Sequence, residues 1–238
     1  MTFDQLSEMD QFTRRDYYDA YISEHGDRTH NVLDYALRKE IAEGTIVHVG
    51  RNQYTYSNAK RVYSYVYSEQ ARYVAEDIQQ EYPYIDFRVF ELTQLNVFVN
   101  HLFAHNTIFV SVENDVIDYV FDTLRDKYPG RIMLKPKADE YYRYLVDDQI
   151  VIQRLPSESP KGIEEPWQSR LEKILVDITV DKLLSEIVSE SEYSSIFTQA
   201  FARYLIDTGA MIRYANRKGA GKKFRECLNR YTYMAMEG

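Results

Sequence analysis

The stretch that decides the fold of the N-terminal region is residues 28–56, which read RTHNVLDYALRKEIAEGTIVHVGRNQYTY. Its first half carries apolar residues at helical spacing, namely Val32, Leu33, Ala36, Leu37 and Ile41. Of these, Val32, Leu33, Leu37 and Ile41 are expected to face the core. Gly44 is expected to end this helix, and strand-like runs follow over residues 45–49 and 53–56. Gly-Arg-Asn at residues 50–52 can turn the chain between them. The stretch therefore predicts a helix followed by a β-hairpin.

The residues before this stretch add two more helices. Thr13 is expected to cap a helix over residues 14–22, and a shorter helix precedes it. Three helices followed by a hairpin is the order of a winged helix-turn-helix domain, which we predict for residues 1–57.

Residues 62–154 alternate strand-like runs with amphipathic helices. The strands are expected at residues 62–67, 85–90, 107–112, 131–135 and 149–154, and the helices after Ser68, over residues 93–103 and after Asn114. This alternation predicts an α/β layer domain, at residues 58–155, with a partly parallel sheet.

The last third of the chain begins with its only breaker-rich segment. Three prolines and a glycine fall within residues 155–166, which predicts a linker or crossover. Apolar residues then recur at helical spacing, and Asp207 or Thr208 is expected to cap a short helix that Gly219 ends. We therefore predict a helical segment over residues 156–238 and an α/β (α+β) class for the whole chain.

The composition excludes several classes of protein. Of 238 residues, 45% are hydrophobic and 28% charged, which is an ordinary globular mixture. The apolar runs are much shorter than the roughly 18 residues of a membrane span, and no basic and apolar leader opens the chain. The single cysteine allows neither an internal disulfide nor a CxxC metal site. We expect a cytoplasmic protein with no membrane association.

The charge of the chain is distributed unevenly. The net charge is −8, but residues 203–238 carry eight basic and three acidic residues, a net charge of +5. A surface for an acidic partner is predicted there from Arg213, Arg217, Lys218, Lys222 and Lys223. The alternative is an ordinary solvated helix surface with charges that complement helix dipoles.

The third predicted helix carries the candidate DNA-binding residues. Its polar face and N-terminal end contain Arg28, Thr29, His30, Asn31, Asp34, Tyr35 and Arg38. Recognition helices place such residues against base edges, where asparagine reads adenine and arginine reads guanine. Arg51 at the predicted wing tip can reach phosphate or the minor groove, and Arg14 and Arg15 could hold the DNA backbone. The alternatives are the solvated face of a surface helix or a protein-interaction module.

Three groups of residues have spacings compatible with metal binding. His101 and His105 are one helical turn apart, but no Glu follows His101 as in HExxH. The other two groups are Glu113, Asp115 and Asp118, and Glu172, Asp177 and Asp181. Each is also explained by helix caps and helix surfaces. We predict no cofactor, no metal and no catalytic residues. A metal-dependent enzyme of nucleic-acid metabolism that uses residues 113–118 is the alternative.

The chain resembles a known family along most of its length. Residues 28–56, quoted above, resemble the winged-helix head of AbiEi-type antitoxins. Residues 169–184 (SRLEKILVDITVDKLL) and 200–219 (AFARYLIDTGAMIRYANRKG) resemble the tail of that family. Tyr82-Pro83 before a strand, then TQLNVFVNHL and IFVSVE, follow in the family's order.

The resemblance implies the antitoxin of a type IV, abortive-infection toxin–antitoxin system. Such a protein represses its own promoter and counters a nucleotidyltransferase-like toxin without forming a stable complex. The implied partners are therefore operator DNA, to which it could bind as a dimer on inverted repeats, and the cognate toxin. A protein-interaction adaptor remains a further alternative.

Overall fold

A computed structural model describes residues 1–9, 11–43, 45–50, 52–56 and 62–236. The chain has the predicted α/β class with a partly parallel sheet. It divides into two compact units, Met1–Val62 with Phe201–Ala210 and Tyr63–Ala200 with Met211–Gly238. The predicted boundary at Ser57 lies outside the described residues, and the division at residue 155 stays a prediction.

The first unit combines three helices with a three-stranded sheet. Its elements are α1 (Phe3–Ser7), β1 (Phe12–Thr13), α2 (Arg14–His25), α3 (His30–Ala42), β2 (Ile46–Gly50) and β3 (Gln53–Tyr56). Strand β3 is central and pairs antiparallel with β1 and β2. Thr13 and Asp16 form a reciprocal capping box at the start of α2, as expected for the predicted cap.

An apolar core holds the first unit together. It is formed by Leu6, Phe12, Tyr17, Ala20, Leu37, Ile46 and Tyr54. The prediction that Val32 faces this core is wrong, because Val32 is 40% exposed while Leu33 and Leu37 are buried. Gly44, the predicted end of α3, lies outside the described residues.

Residues Phe201–Ala210 also belong to the first unit. The Gln11 side-chain amide donates a hydrogen bond to the carbonyl of Ile206 (3.1 Å). The Thr208 hydroxyl donates to the Gln53 side chain (2.6 Å). Segment Phe201–Ala210 is therefore hydrogen-bonded to Gln53 of β3 and to Gln11, the residue before β1.

A four-stranded sheet organises the second unit. Its elements up to residue 154 are α4 (Glu69–Glu81), β4 (Phe87–Glu91), β5 (Thr107–Val112), α5 (Ile117–Lys127), β6 (Ile132–Leu134), α6 (Ala138–Tyr144) and β7 (Gln149–Arg154). The strand order is β4-β5-β7-β6. Strand β7 is parallel to β5 and β6, whereas β4 is antiparallel to β5.

Helices cover both faces of this sheet. Ile108, Val110 and Val112 of β5 pack with apolar residues of α4 and α5 on one face. On the other face, Ser111 accepts a hydrogen bond from Lys173 of α7 (Leu171–Val180). Every residue from Leu171 to Thr179 is buried, so the polar side chains of α7 need partners inside the protein.

Four more helices follow: α8 (Leu184–Ile187), α9 (Glu190–Arg203), α10 (Thr208–Arg217) and α11 (Gly221–Met236). Asp207 accepts a hydrogen bond from the Ala210 amide at the start of α10, as predicted (2.8 Å). After α10 the chain turns at Gly219, whose φ of +71° suits glycine. Within the described part of the chain, no helix combines the length and apolarity that a membrane crossing requires.

The predicted strand at residues 62–67 is wrong. Residues 62–68 have no regular structure, and Val66 is 91% exposed. The backbone of Val89 in β4 pairs with a later segment instead: its amide donates to the carbonyl of Trp167 (2.7 Å), and its carbonyl accepts from the amide of Ser169 (3.1 Å). The alternation of valine and tyrosine resembled a strand, but the edge of β4 is occupied by a later segment.

Two helix predictions also need correction. Residues 93–103 form no α-helix: a 3₁₀ helix, Leu92–Val97, gives way to irregular chain. The Asn96 side chain bonds both the amide and the carbonyl of Phe103, and such side-chain bonds compete with helical ones. Asn114 does not cap α5 either, because Asn114–Val116 is a separate 3₁₀ turn.

Candidate functional site

The residues predicted to contact DNA lie on one side and one end of α3. His30, Asn31, Asp34, Tyr35 and Arg38 follow an i, i+1, i+4, i+5, i+8 pattern that keeps them on one face. Tyr35 is 71% exposed, and Asp34 alone among the five is half-buried. Arg28 and Thr29 are exposed just before the helix, and Thr29 makes no side-chain cap bond. The structure therefore brings these seven residues together.

Asp34 is held by α2 rather than presented to solvent. The Tyr18 hydroxyl donates a hydrogen bond to its carboxylate, and the Arg14 guanidinium lies 3.7 Å away. The Tyr18 bond, followed by the nearby cations, lowers the pKa of Asp34 although desolvation opposes the shift. The ionised carboxylate therefore positions the face of α3 by linking it to α2.

Arg14 also has partners within the unit. Its guanidinium donates to the Tyr54 hydroxyl of β3 (3.3 Å), and this bond raises the pKa of Arg14. Arg14 thus joins α2, α3 and β3, whereas the adjacent Arg15 is exposed. The sequence analysis did not identify Tyr18 and Tyr54 as partners of these charged residues. Tyr18 lies one helical turn after Arg14, and this spacing could have placed the two side chains on one face of α2.

The predicted wing is partly described. The β2–β3 pairing shifts register between His48 and Gly50, and Asn52 has a φ of +59°, typical of a tight turn. Arg51, the predicted DNA contact at the tip, lies outside the described residues. Its role stays a prediction.

The predicted basic surface near the C-terminus is not continuous. Arg213, Lys222 and Lys223 are exposed, and Arg217 forms an ion pair with Glu158. The Lys218 side chain is only 14% exposed, so including it in a surface patch was wrong. It turns inward because a buried carboxylate lies 2.6 Å from its ammonium group.

That carboxylate, Asp177, is the centre of a buried polar cluster. Its oxygens lie 2.6 Å from the ammonium groups of both Lys173 and Lys218, and the Tyr214 hydroxyl donates to it at 3.0 Å. Burial alone would raise the pKa of Asp177, but the two lysines outweigh it and lower that pKa. Burial lowers the pKa of Lys173, so the charge of this lysine depends on its carboxylate partner.

A family model described as a family of unknown function (DUF6577) matches residues 32–234. The chain belongs to the DUF6577 family. The match begins within α3 and extends through the β2–β3 hairpin and the second unit into α11. No curated protein matches this DUF6577 chain at a significant level.

The metal-compatible groups of this DUF6577 protein have other partners. His101 contacts Glu192 (2.7 Å) and His105 contacts Asp147 (3.8 Å), and both histidines lie in irregular chain rather than on a helix. Glu113 accepts a bond from the amide of Asp86 (3.1 Å). Within the described residues, no three His, Cys, Asp or Glu side chains are grouped so as to hold a metal ion.

Glu172, Asp177 and Asp181 do not form one three-carboxylate site either, although Asp177 and Asp181 share Lys218 (2.6 and 3.4 Å). Glu172 pairs with Arg170 (2.8 Å), Asp177 with the two lysines, and Asp181 accepts from two amides at the start of α8. Their roles in the second unit are charge pairing and capping.

Proposed function

We propose that this protein is a sequence-specific DNA-binding repressor whose first unit is a winged helix-turn-helix domain. The observation that carries the proposal is the order α1-β1-α2-α3-β2-β3 with the sheet order β1-β3-β2. In such domains the helix before the hairpin enters the major groove. Here that helix is α3, with an exposed polar face.

The chemistry of this face favours base reading. Asn31 and Arg38 are exposed and can make bidentate contacts to adenine and guanine. Arg15 on α2 and Arg28 just before α3 are exposed and suit phosphate oxygens. The Arg14 guanidinium, 3.7 Å away, balances the charge of Asp34, which reduces the repulsion between Asp34 and the DNA backbone.

The resemblance to AbiEi-type antitoxins extends the proposal to a biological role. The protein would repress its own promoter, bind inverted repeats as a dimer, and counter a nucleotidyltransferase-like toxin in the cytoplasm without a stable complex. The exposed cations Lys222 and Lys223 are the part of the predicted antitoxin surface that we assign to an acidic partner.

A fluorescence-anisotropy titration with the DNA upstream of the gene tests the first claim. We expect the full chain to bind this DNA more tightly than shuffled DNA of equal length. Residues 1–60 carry seven basic and ten acidic residues and should make few phosphate contacts, so the decrease of log affinity with log salt concentration should be shallow. Equal affinity for both DNAs would exclude a sequence-specific repressor.

Substitutions on α3 test the assigned face. Asn31→Ala and Arg38→Ala should each reduce discrimination by roughly 1–3 kcal/mol, whereas Arg51→Ala should weaken all sequences about equally. Asn229→Ala and Arg125→Ala, exposed residues of the same types in the second unit, are matched controls. If the α3 variants fold and discriminate like the controls, the wrong face has been assigned.

The antitoxin claim needs a separate assay. The protein is expressed from an unrelated promoter together with a nucleotidyltransferase encoded beside its gene, and colony survival is counted. Survival with wild type and with Asn31→Ala would support neutralisation independent of repression. Toxicity undiminished at normal protein abundance would contradict the antitoxin role and leave DNA binding standing.

A further inference from the structure

The second unit contains a cleft where two of its parallel strands end. The cleft has a volume of about 880 Å³ and lies at the carboxyl ends of β6 and β7. Ligands of open α/β sheets bind at this edge, and volumes of roughly 300–1,000 Å³ are typical of small-molecule sites. The position and size of the cleft therefore suit a ligand.

Basic side chains dominate its lining. The cations are Lys135, Lys137, Arg154, Lys182, Arg217 and Lys218, against the acids Asp139, Asp181 and Glu186. This gives the lining a formal charge of +3 in a chain whose net charge is −8. Such a concentration of positive charge in a concave site favours an anion.

Four of these cations are available to a ligand. Arg217 pairs with Glu158, and Lys218 pairs with Asp177 and Asp181. Among the described residues, no ion pair engages the other four, Lys135, Lys137, Arg154 and Lys182, and all four are exposed. These four cations are therefore the groups of the lining with which a bound anion can pair.

The strand pairing explains why two of them converge. Leu134 and Ile152 form the last β6–β7 pair, so Lys135 directly follows β6, while Arg154 is the last residue of β7 and pairs with Val112 of β5. The Lys135 amide donates to the carbonyl of Ile152 (2.9 Å), and Lys135 has a φ of +45°, which is uncommon for a residue with a side chain. The backbone thus holds this lysine in a defined, locally strained turn.

Two polar residues of the cleft lining, Gln153 and Asp181, are held by hydrogen bonds within the second unit. The Gln153 side chain donates to Ser111 (3.2 Å), which also accepts from Lys173. The Asp181 carboxylate, which would repel an anion, is engaged by Lys218 and by the amides of Leu183 and Leu184. The fixed carboxylate is therefore neutralised, and Asp139 and Glu186 remain as exposed acids.

We propose that this cleft binds a small molecule carrying two or more linked phosphates. Linked phosphates carry a charge of about −3 to −4, which is closer to the lining's formal charge of +3 than the charge of about −2 of a single phosphate. The volume of about 880 Å³ lies in the range of small-molecule sites, which favours a small ligand over a nucleic-acid strand. This site is independent of the DNA-binding face on α3, since every residue that lines it belongs to the second unit.

Isothermal titration of the full-length protein tests the proposal. The probes are inorganic triphosphate, an equimolar mixture of the four ribonucleoside triphosphates, and inorganic phosphate, all with EDTA. We expect at least one triphosphate probe to bind with a micromolar dissociation constant, and phosphate at least tenfold more weakly. Equal affinities for inorganic triphosphate and for the nucleotide mixture would show that the cleft recognises the phosphates alone. Tighter binding of the nucleotides would show that the cleft also contacts the base or the sugar.

Variants distinguish this cleft from general attraction to cations. Lys135→Gln and Arg154→Gln should each weaken triphosphate binding at least tenfold, while Lys161→Gln and Arg125→Gln, exposed outside the cleft, should leave it within twofold. Circular dichroism checks that each variant is folded, and promoter binding should be unchanged in all four. Absence of binding at millimolar probe, or equal losses in cleft and control variants, would overturn the site without affecting the DNA-binding proposal.

Discussion

Replacing Asp177 with asparagine should strongly destabilise the second unit. The carboxylate is buried between the ammonium groups of Lys173 and Lys218, each 2.6 Å away. Lys218 keeps Asp181 at 3.4 Å, but Lys173 keeps only the Ser111 hydroxyl at 3.3 Å. Removing one partner of a buried ion pair costs about 3–5 kcal/mol, so a loss of this size is expected.

The loss should depend on pH in a defined direction. In wild type the lowered pKa of Asp177 gives stability that is present above the ordinary carboxyl pKa and is lost as pH falls through the folded value. In Asp177→Asn, Lys173 loses the partner that opposes the effect of burial on its pKa. Between the lowered pKa of Lys173 in the folded state and its ordinary value of 10.5, this lysine is protonated more in the unfolded state than in the folded state. The stability of the variant should therefore rise with pH across that range.

The assay is guanidinium chloride unfolding followed by tryptophan fluorescence. Trp167 is the only tryptophan and packs in the core of the second unit, so its signal reports on that unit. Asp126→Asn, whose side chain is 82% exposed, is the matched control and should change the free energy of unfolding little. Adding Lys173→Met to Asp177→Asn should recover part of the loss. A loss below about 1 kcal/mol, equal to that of the control, would refute the reasoning.

Two further predictions concern a helix cap and the single cysteine. Thr13→Ala removes the N-cap of α2 and should cost about 1 kcal/mol in urea unfolding, whereas Thr13→Ser should retain the cap; equal stabilities would show that the capping box contributes nothing. Burial raises the pKa of Cys227 from 9.0 to about 11, so its thiolate population at pH 8 should be roughly a hundredfold lower and its alkylation by iodoacetamide correspondingly slow. Alkylation of the native protein as fast as that of the unfolded chain would contradict this burial effect.

Local sequence signals predicted much of the secondary structure. Strands β5 and β7 agree with their predicted bounds, because short apolar runs between polar segments define them. The cap of α2 was also predictable, since Thr13 and Asp16 have the spacing of a capping box. Failures occurred where distant residues decide the outcome. Residues 62–67 have the pattern of a strand, but only the fold shows that Trp167 occupies the neighbouring edge.

The two candidate sites differ in how much the sequence reveals of them. The face of α3 follows from helical periodicity alone, although the attachment of Asp34 to Tyr18 does not. The cleft was missed, because nothing local indicates that β7 lies between β5 and β6. Lys135 and Arg154 stand at the ends of predicted strands. Ligands of open α/β sheets bind at the carboxyl ends of parallel strands, and this rule could have grouped the two residues into one candidate site.

The attachment of Phe201–Ala210 to the first unit has a consequence for how the chain is synthesised. The ribosome makes residues 1–62 first, but the contacts of Gln11 with Ile206 and of Gln53 with Thr208 must wait for a segment made much later. A translation product that stops before residue 201 therefore carries an incomplete first unit. Completion of the proposed DNA-binding unit is thus coupled to synthesis of almost the whole polypeptide, which would disfavour occupation of the promoter by truncated chains.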